Sequence, residues 1–233
     1  MWLDLTEGIG DQTVLANTIK TMEGHGVKSI LVNSGEIDFG QLSSERTKIL
    51  SFPRSNAPFL NTILSNYRAS KILEKLSADD IPKIVMVNWK LIPGFIRAKG
   101  KNLGLEKCKV IIEDRSPPVG DGLMPQLQWR FYDYSWKKSI GVVEGANVLV
   151  PSLEEFVRDR FGIGEGFVFI HTPSGVDVDR FRPKESISSF ENGIRIVYHG
   201  ALDSGRGLRR ILPLLEELGI RGIPCKATII GDG

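Results

Sequence analysis

The sequence has few of the residues that would place it in several common classes of protein. Its 233 residues include two cysteines, Cys108 and Cys225. These lie in separate segments without the spacing of metal ligands, so we expect two reduced thiols and no disulfide scaffold. The chain has no run of about 18 apolar residues, and its start, MWLDLTEG, has neither a basic segment nor an apolar signal core. We therefore predict a cytoplasmic protein.

An excess of charge of one sign is also lacking. The chain carries 30 basic and 28 acidic residues, mixed along its length, for a net charge of +2. This balance gives no argument for nucleic-acid binding, and it means that any anion would have to be bound locally. The three histidines, His25, His171 and His199, are scattered without paired ligand spacing. We therefore predict no metal site and no cofactor.

What the chain does contain is a series of short apolar, β-branched runs, which predict buried strands. Segments with the helical spacing of apolar residues lie between several of these runs. Pro213 lies in one such segment, where it is tolerated only near the first turn or with a kink. The alternation of strand and helix predicts an α/β fold with a parallel sheet. The predicted strands are Ser29 to Val32, Lys83 to Val87, Lys109 to Ile112, Asn147 to Val150, Phe167 to Ile170, Arg195 to Tyr198 and Lys226 to Ile230.

Two glycine-rich turns between a strand and a helix have the chemistry of an anion site. In an open α/β sheet, ligands bind beyond the carboxyl ends of the strands, where helix N-termini offer unpaired N–H groups. Glycine lets the backbone approach a phosphate closely, and arginine can fork onto phosphate oxygens. Either turn taken alone has another explanation that involves no ligand. The glycines would then serve the geometry of the chain, and the arginine would be a solvated side chain. The residues concerned are Gly8 and Gly10 in the first turn, and Gly200, Gly205, Arg206 and Gly207 in the second.

Two nucleotide-binding motifs do not fit these turns. Neither turn matches G-x-x-x-x-G-K-[ST], and the first lacks the full G-x-G-x-x-G. The sequence therefore gives poor support for a nucleoside triphosphatase or a dinucleotide enzyme.

The order of the elements is more specific than either turn. The second turn, within YHGALDSGRGL, follows PSGVDVDRFRP (Pro173 to Pro183) and precedes KATIIGDG (Lys226 to Gly233). In this order the three elements resemble the hinge and donor-domain opening of the family 4 glycosyltransferases, which are retaining enzymes of the GT-B fold. That family typically shows P-N-G-V-D-x-x-x-F-x-P, then a strand and G-x-L-x-x-x-K-G, then a strand ending in G-D-G.

The resemblance extends upstream and covers nearly the whole chain. GHGV (Gly24 to Val27) looks like the end of the family's first helix, and ANVLVPSLEEFV (Ala146 to Val157) looks like its A-D-x-V-x-x-x-S segment. The resemblance implies a GT-B type fold with a Rossmann-like, acceptor-side N-terminal domain over residues 1–172. A hinge over residues 173–193 would follow. Residues 194–233 would then begin a second Rossmann-like domain that binds the nucleotide sugar.

The resemblance also implies a function, the transfer of a sugar from a nucleotide-diphosphate sugar to a lipid, glycan or small-molecule acceptor. Transfer would retain configuration and would need no metal. Backbone amides at Gly200 and Gly207 would approach the diphosphate, and Arg206, where the family usually has lysine, would supply charge. Gly231 stands in the G-D-G segment. Gly8 and Gly10 would cover the phosphate or the sugar from the other domain.

The sequence departs from the family pattern at three points. Ala201 stands where many members carry a second basic residue, and Ser174 replaces the asparagine before Gly175. The chain ends at Gly233, before the E-x7-E region that holds the donor sugar and ribose in the family. The expectation is therefore a fragment that is inactive alone, with its catalytic carboxylates beyond Gly233.

Two further segments are candidates for the acceptor side. Asp114 and Arg115 follow a predicted strand, in a loop that lines the cleft in the resembling enzymes. They would orient acceptor hydroxyls or phosphate, or else form an Asp–Arg pair that fixes a Pro-rich loop. In WRFYDYSWKK, the residues Trp129, Tyr132 and Trp136 form one helical stripe. Core packing is the favoured explanation of this stripe, and contact with the inner membrane face is the alternative.

Two other functions are compatible with the sequence. Sugar-nucleotide epimerases share the architecture, but their acidic and histidine-bearing cleft motifs are not evident here. A non-catalytic nucleotide-sugar-binding module or scaffold would account for Ala201 and for the missing carboxylate region.

Overall fold

A computed structural model describes residues 1–7, 12–35, 46–55, 57–120, 122–173, 182, 193–200, 202 and 207–231. The chain divides into two compact units. The first comprises Met1–Pro117 and Leu127–Gly175, and the second comprises Pro118–Gln126 and Val176–Gly233. The domain boundaries expected after residues 172 and 193 stay a prediction, because most of the segment between them lies outside the described residues.

The first unit is built on a seven-stranded sheet whose neighbouring strands all pair in parallel. The strand order is β3-β2-β1-β4-β5-β6-β7. The chain therefore moves outward from β1 to β3 and then returns to the other side of β1. The order reverses between β1 and β4, which is where open α/β sheets place their ligand crevice. The strands are β1 (Trp2–Glu7), β2 (Ser29–Ser34), β3 (Thr47–Phe52), β4 (Ile84–Asn88), β5 (Lys109–Asp114), β6 (Gly145–Val148) and β7 (Val168–His171).

Helices connect the strands of every crossover that the structure describes in full, as the right-handed crossovers of a parallel sheet require, while residues 36–45 between β2 and β3 lie outside the described residues. Proline is the first or second residue of three of these helices, where its missing N–H has no intrahelical partner to lose. Short 3-10 turns lie at Ala78–Asp80, Trp89–Leu91 and Leu103–Lys107. The helices are α1 (Gln12–Gly24), α2 (Pro58–Glu74), α3 (Ile92–Lys99), α4 (Leu123–Ser139) and α5 (Pro151–Phe161).

The main apolar cluster of the first unit lies on one face of the sheet. Alternate strand residues such as Leu3, Leu5, Val85, Val110 and Ile112 have no exposed surface, because successive side chains of a strand point to opposite faces. They are buried in one cluster with side chains of α2, α3, α4 and α5. The helical members without exposed surface are Ala69, Leu73, Ile92, Phe95, Ala98, Tyr132, Trp136 and Val157.

Helices α2 and α3 are joined by one asparagine. The Asn66 side chain donates to the carbonyl of Lys90 at 2.8 Å and accepts from the backbone N–H of Gly94 at 2.7 Å. A Cβ on Gly94 would collide with the backbone carbonyl oxygen of Asn66. The close approach of the two helices therefore requires glycine at this position.

The second unit contains a parallel pair of strands, β8 (Ile194–His199) and β9 (Cys225–Ile230), joined through α6 (Ile211–Ile220). A 3-10 turn, Leu208–Arg210, precedes α6. Pro213 therefore lies in the first turn of the helix, one of the two arrangements that the sequence allowed. None of the described residues from 193 to 231 is buried, which agrees with the small size of this strand-helix-strand unit.

The predicted α/β fold with a parallel sheet is confirmed, with three differences. Strands β1 and β3 are not among the predicted strands, because WLDLTE and TKILSF each lack a continuous apolar run. Strand β6 was predicted over Asn147 to Val150 but spans Gly145–Val148, since α5 begins at Pro151 and leaves Leu149 and Val150 as its approach. No helix in the described part of the chain is long and apolar enough to span a membrane.

Candidate functional site

Asp114 is the last residue of β5 and is completely buried. Its Oδ2 accepts the O–H of Tyr132 at 2.5 Å and the indole N–H of Trp136 at 2.9 Å, and both donors come from α4. Burial raises the pKa of the Asp114 carboxyl from 3.8 to about 6, although these two hydrogen bonds act in the opposite direction. Burial and the neighbouring carboxylate also raise the pKa of the Tyr132 phenol above its usual value. Asp114 therefore attaches α4 to the end of β5.

Arg115 is paired with Glu113, not with Asp114. Its Nε lies 3.0 Å from Oε1 of Glu113, and the two side chains are 14% and 9% exposed. Charges so sheltered from water interact more strongly than an ion pair on the open surface. The residues predicted for the acceptor side thus lie together at the end of β5, but their side chains differ in environment. Asp114 faces the core, and Arg115 faces a cavity.

This cavity has a volume of about 180 Å³ and lies entirely within the first unit. It occupies the sheet face opposite the core, with Thr18 and Met22 of α1 among its lining residues. The volume is below the roughly 300–1,000 Å³ of typical ligand pockets, so the cavity suits a small group. Its polar lining residues, from β1, α1, β5, β6 and the end of β7, are Asp4, Thr6, Thr18, Glu113, Arg115, Asn147 and Thr172.

The lining offers both hydrogen-bond donors and acceptors. Arg115 is a donor, Glu113 is an acceptor, and the threonine hydroxyls can act as either. The Oδ1 of Asn147 is buried without a hydrogen-bond partner among the described residues. Buried polar atoms of this kind are normally satisfied, so this side of the cavity can accept a donor such as a hydroxyl group. A lining of this composition fits a small hydroxyl-bearing group.

In the second unit, Gly200 and Gly231 lie side by side at the carboxyl ends of the strands. Gly200 follows β8 and donates its N–H to the carbonyl of Ile230 at 3.0 Å. A Cβ on Gly231 would collide with the carbonyl oxygen of Gly200. Gly207 has a φ of +74° directly before the 3-10 turn that leads into α6. This left-handed conformation favours glycine. Gly207 is therefore required at least in part by the backbone conformation of the turn.

Three of the predicted site residues, Gly8, Gly10 and Arg206, lie outside the described residues. The structure describes the strand that precedes each turn, β1 or β8, and the helix that follows it. The roles predicted for Gly8, Gly10, Gly200, Arg206, Gly207 and Gly231 therefore stay predictions. The described residues contain no cluster of histidine, cysteine, aspartate and glutamate that could hold a metal ion.

The sequence did not reveal the residues that cooperate with Glu113 and Arg115. Asp4 and Asn147 come from strands far apart in the chain. Their side chains meet on one face of the sheet because the strand order places β1, β5 and β6 close together. The sequence contained one indication of Asp4, which is a charged residue between Leu3 and Leu5 in an otherwise apolar segment. Arg209 and Arg210, which are exposed beside Gly207, were not among the predicted site residues.

The aromatic stripe of α4 belongs to the core, as favoured from the sequence. Tyr132 and Trp136 have no exposed surface, and Trp129 packs against the core from its edge. The Trp129 and Trp136 rings lie 5.5 Å and 6.5 Å from the Tyr132 ring, and both are inclined to it edge-on. The stripe therefore offers no large apolar face to a membrane.

No protein family and no curated sequence matches the chain, but solved structures resemble its fold. The galactosyltransferase WaaB of the lipopolysaccharide outer core aligns with 100% of this chain and 61% of its own, at 17% identity and a TM-score of 0.62. An E. coli trehalose-6-phosphate protein, bound with UDP-2-fluoro glucose, aligns with 100% of this chain and 65% of its own, at 13% identity and a TM-score of 0.65. Anabaena HepE, in complex with UDP and glucose, aligns with 100% of this chain and 61% of its own, at 10% identity and a TM-score of 0.64.

These likenesses define the fold class. The chain has the α/β, Rossmann-like fold of GT-B glycosyltransferase structures. It spans 61% to 65% of the length of these three proteins.

Proposed function

We propose that the protein binds a nucleotide-diphosphate sugar and serves the transfer of its sugar to an acceptor. One observation carries this proposal: the whole chain aligns with GT-B glycosyltransferase structures, two of which were solved with UDP or a UDP-sugar. The motif order from Pro173 to Gly233 supports the same function independently, because it depends on sequence and not on the overall fold.

The donor side of the proposed site is the glycine edge of the second unit. Gly200 and Gly231 keep the carboxyl ends of β8 and β9 free of side chains, so a diphosphate can approach the backbone there. Arg209 and Arg210 lie in the 3-10 turn that leads into α6, and Arg206 precedes Gly207 in the sequence. Guanidinium groups and helix N–H groups would together bind the diphosphate and stabilise it as a leaving group.

The finer features of the proposal come from the resemblance to family 4. They are transfer with retention and the absence of a metal requirement. The proposed cytoplasmic location comes instead from the composition of the sequence. On the acceptor side, we assign Arg115 to the binding of an acceptor hydroxyl or phosphate. Asp114 acts in this proposal only through its position, because its carboxyl is buried against α4.

Calorimetric titration of the chain with UDP, GDP, ADP and CMP tests the donor site. We expect one nucleoside diphosphate to bind, and we expect Arg206→Ala to weaken that binding roughly tenfold or more, as the loss of a charge-assisted hydrogen bond would. Arg221→Ala is the matched control, since Arg221 lies at the other end of α6 and pairs with Glu217. The proposal fails if no nucleotide binds, or if Arg206→Ala and Arg221→Ala bind alike.

An epimerase is the second candidate, and one structure favours it. A Listeria monocytogenes protein described as a UDP-N-acetylglucosamine 2-epimerase aligns with 99% of this chain at 10% identity and a TM-score of 0.57. The two functions differ in whether they need an acceptor. Incubation with UDP-N-acetylglucosamine alone, followed by proton NMR, would show a change at C2 for an epimerase and intact donor for a transferase.

A further inference from the structure

The charges of the chain are balanced overall but not locally. Between Arg54 and Lys109 there are eleven basic and four acidic residues, a net charge of +7 in a chain whose total is +2. This segment forms α2, β4, α3 and the 3-10 turns around them. Positive charge is therefore concentrated on the part of the first unit that contains the paired helices α2 and α3.

Helix α2 also exposes apolar side chains in a line. Leu60, Ile63 and Tyr67 are 50%, 52% and 49% exposed. Their spacing of three and four residues places them on one face of the helix. The opposite face is buried in the core, where Ala69 and Leu73 have no exposed surface. Helix α2 thus carries exposed apolar side chains on the face that points away from the core.

The apolar line continues into a group of cations. Lys71 lies one turn beyond Tyr67, and its Nζ is 5.8 Å from the centre of the Tyr67 ring. Arg97 of α3 lies over the same ring at 5.3 Å. Lys71, Arg97 and Lys101 all lie within 4 Å of Glu74, at 2.8, 3.8 and 3.4 Å. We call Leu60, Ile63, Tyr67, Lys71, Arg97 and Lys101 the α2–α3 surface.

One carboxylate does not neutralise this surface. The hydrogen bond from Lys71, with those from Ser70 and Lys101, lowers the pKa of Glu74 to about 2. Glu74 is therefore ionised at neutral pH and offsets one of its three cationic neighbours. The three cations are 40% to 49% exposed and can reach a second anionic partner.

The surface is held rigid from below. Asn66 bonds to both Lys90 and Gly94, and Gly94 allows α2 and α3 to touch. The cations of α3 therefore keep a fixed distance from the apolar line of α2. A rigid surface loses little conformational entropy when it docks.

From these observations we propose that the α2–α3 surface docks onto an anionic lipid membrane. Lysine and arginine attract acidic headgroups, while the neighbouring leucine, isoleucine and tyrosine enter the boundary between headgroups and acyl chains. A nucleic acid would use the cations but would gain nothing from Leu60 and Ile63. The combination of charge and exposed apolar surface therefore favours lipid. This proposal does not depend on the proposed transferase function.

Vesicle sedimentation of the full 233-residue chain tests the proposal. We expect the protein to sediment with phosphatidylcholine vesicles that contain about 30% phosphatidylglycerol, and not with vesicles of phosphatidylcholine alone. The bound fraction should fall as NaCl rises from about 0.05 M to about 0.5 M, because salt screens the attraction. Arg97→Gln/Lys101→Gln and Leu60→Gln/Ile63→Gln should each lower the partition coefficient roughly tenfold, the first by loss of charge and the second by loss of insertion.

Matched controls separate this surface from general stickiness. Lys137→Gln/Lys138→Gln removes two cations at the end of α4, and Leu212→Gln removes a side chain of α6 that is 66% exposed. Both controls should bind vesicles as the unchanged protein does, and thermal unfolding should show that all variants are folded. The proposal is overturned if neutral and anionic vesicles bind equally, if the α2–α3 variants bind like the controls, or if the chain binds a single-stranded RNA but no vesicle.

Discussion

At the scale of single residues, Asp114 has a buried carboxyl that joins β5 to α4. Its hydrogen-bond donors, Tyr132 and Trp136, lie 18 and 22 residues away along the chain. The packing of α4 against β5 brings these groups together and removes the carboxyl from water, so its protonation is coupled to folding.

The raised pKa of Asp114 predicts a dependence of stability on pH. The unfolded carboxyl loses its proton near its ordinary pKa of 3.8, whereas the folded one keeps it up to about 6. The Asp114 carboxyl therefore contributes most to the free energy of unfolding below about pH 4. Roughly 2–3 kcal/mol of that contribution is lost as the pH rises to about 6. Urea unfolding, followed by tryptophan fluorescence across this range, should show the loss.

Asp114→Asn provides the comparison, because the amide does not titrate. The difference in unfolding free energy between the two proteins should change across the range from about pH 4 to about pH 6 and stay constant above it. Parallel profiles throughout would contradict the raised pKa of Asp114.

Gly94 gives a second prediction at this scale. Gly94→Ala should lower the unfolding free energy by about 2 kcal/mol, because the new methyl group would overlap the backbone of Asn66 and push α2 from α3. Gly100→Ala is the control. Its nearest atoms would be 3.8 Å away, and its φ of −70° suits alanine. Equal melting temperatures for the two variants would show that the helices can separate without cost.

At the scale of elements, the strands of the buried sheet were predictable because each is a short apolar run. The exceptions have physical causes. Strand β3 lies at the edge of the sheet and mixes polar and apolar residues in TKILSF, and β1 interrupts its apolar residues with Asp4 and Thr6, so neither strand shows a continuous apolar run. Strand β6 begins at Gly145, which packs against the backbone of Val168 and contributes no apolar side chain to a pattern. The cavity could not be predicted, because its polar residues come from strands whose order the sequence does not reveal.

Arg158 carries the prediction at this scale, because it joins α5 to β7. Its guanidinium donates to Glu154 at 2.7 Å and to the carbonyls of Gly164 and Phe167 at 2.6 and 3.0 Å. It also lies 4.5 Å from the centre of the Phe169 ring. Arg158→Ala should cost about 1–3 kcal/mol, since several charge-assisted hydrogen bonds end at one side chain.

Amide hydrogen exchange can localise this effect. The amides of β7 should exchange faster in Arg158→Ala than in the unchanged protein. Those of β1 and β4 should speed up by less than about tenfold or not at all. Arg130→Ala, at an exposed position of α4, should leave β7 unchanged. Faster exchange over the whole sheet would show that Arg158 supports the entire unit and not β7 alone.

At the scale of the whole molecule, the two units differ in what holds them together. The first unit buries a continuous apolar cluster between its sheet and four of its helices. In the second, none of the described residues from 193 to 231 is buried, and Val197, Leu212 and Ile220 are 66%, 66% and 81% exposed. Burial of apolar surface is the main source of folding free energy, so the two units should differ in stability.

We therefore expect the second unit to open long before the first unfolds. Amides of β8 and β9 should exchange at least about a hundredfold faster than those of β1, β4 and β5, a difference of roughly 3 kcal/mol in opening free energy. The β1–β4 and β8–β9 pairs have the same parallel hydrogen bonding. A difference in exchange between them would therefore reflect the difference in burial. A saturating nucleoside diphosphate should slow exchange in β8 and β9 and leave β1 unchanged, because a ligand stabilises the unit that it binds. Equal protection in both units without ligand would mean that the β8–β9 pair is stabilised by contacts other than the burial of its own side chains.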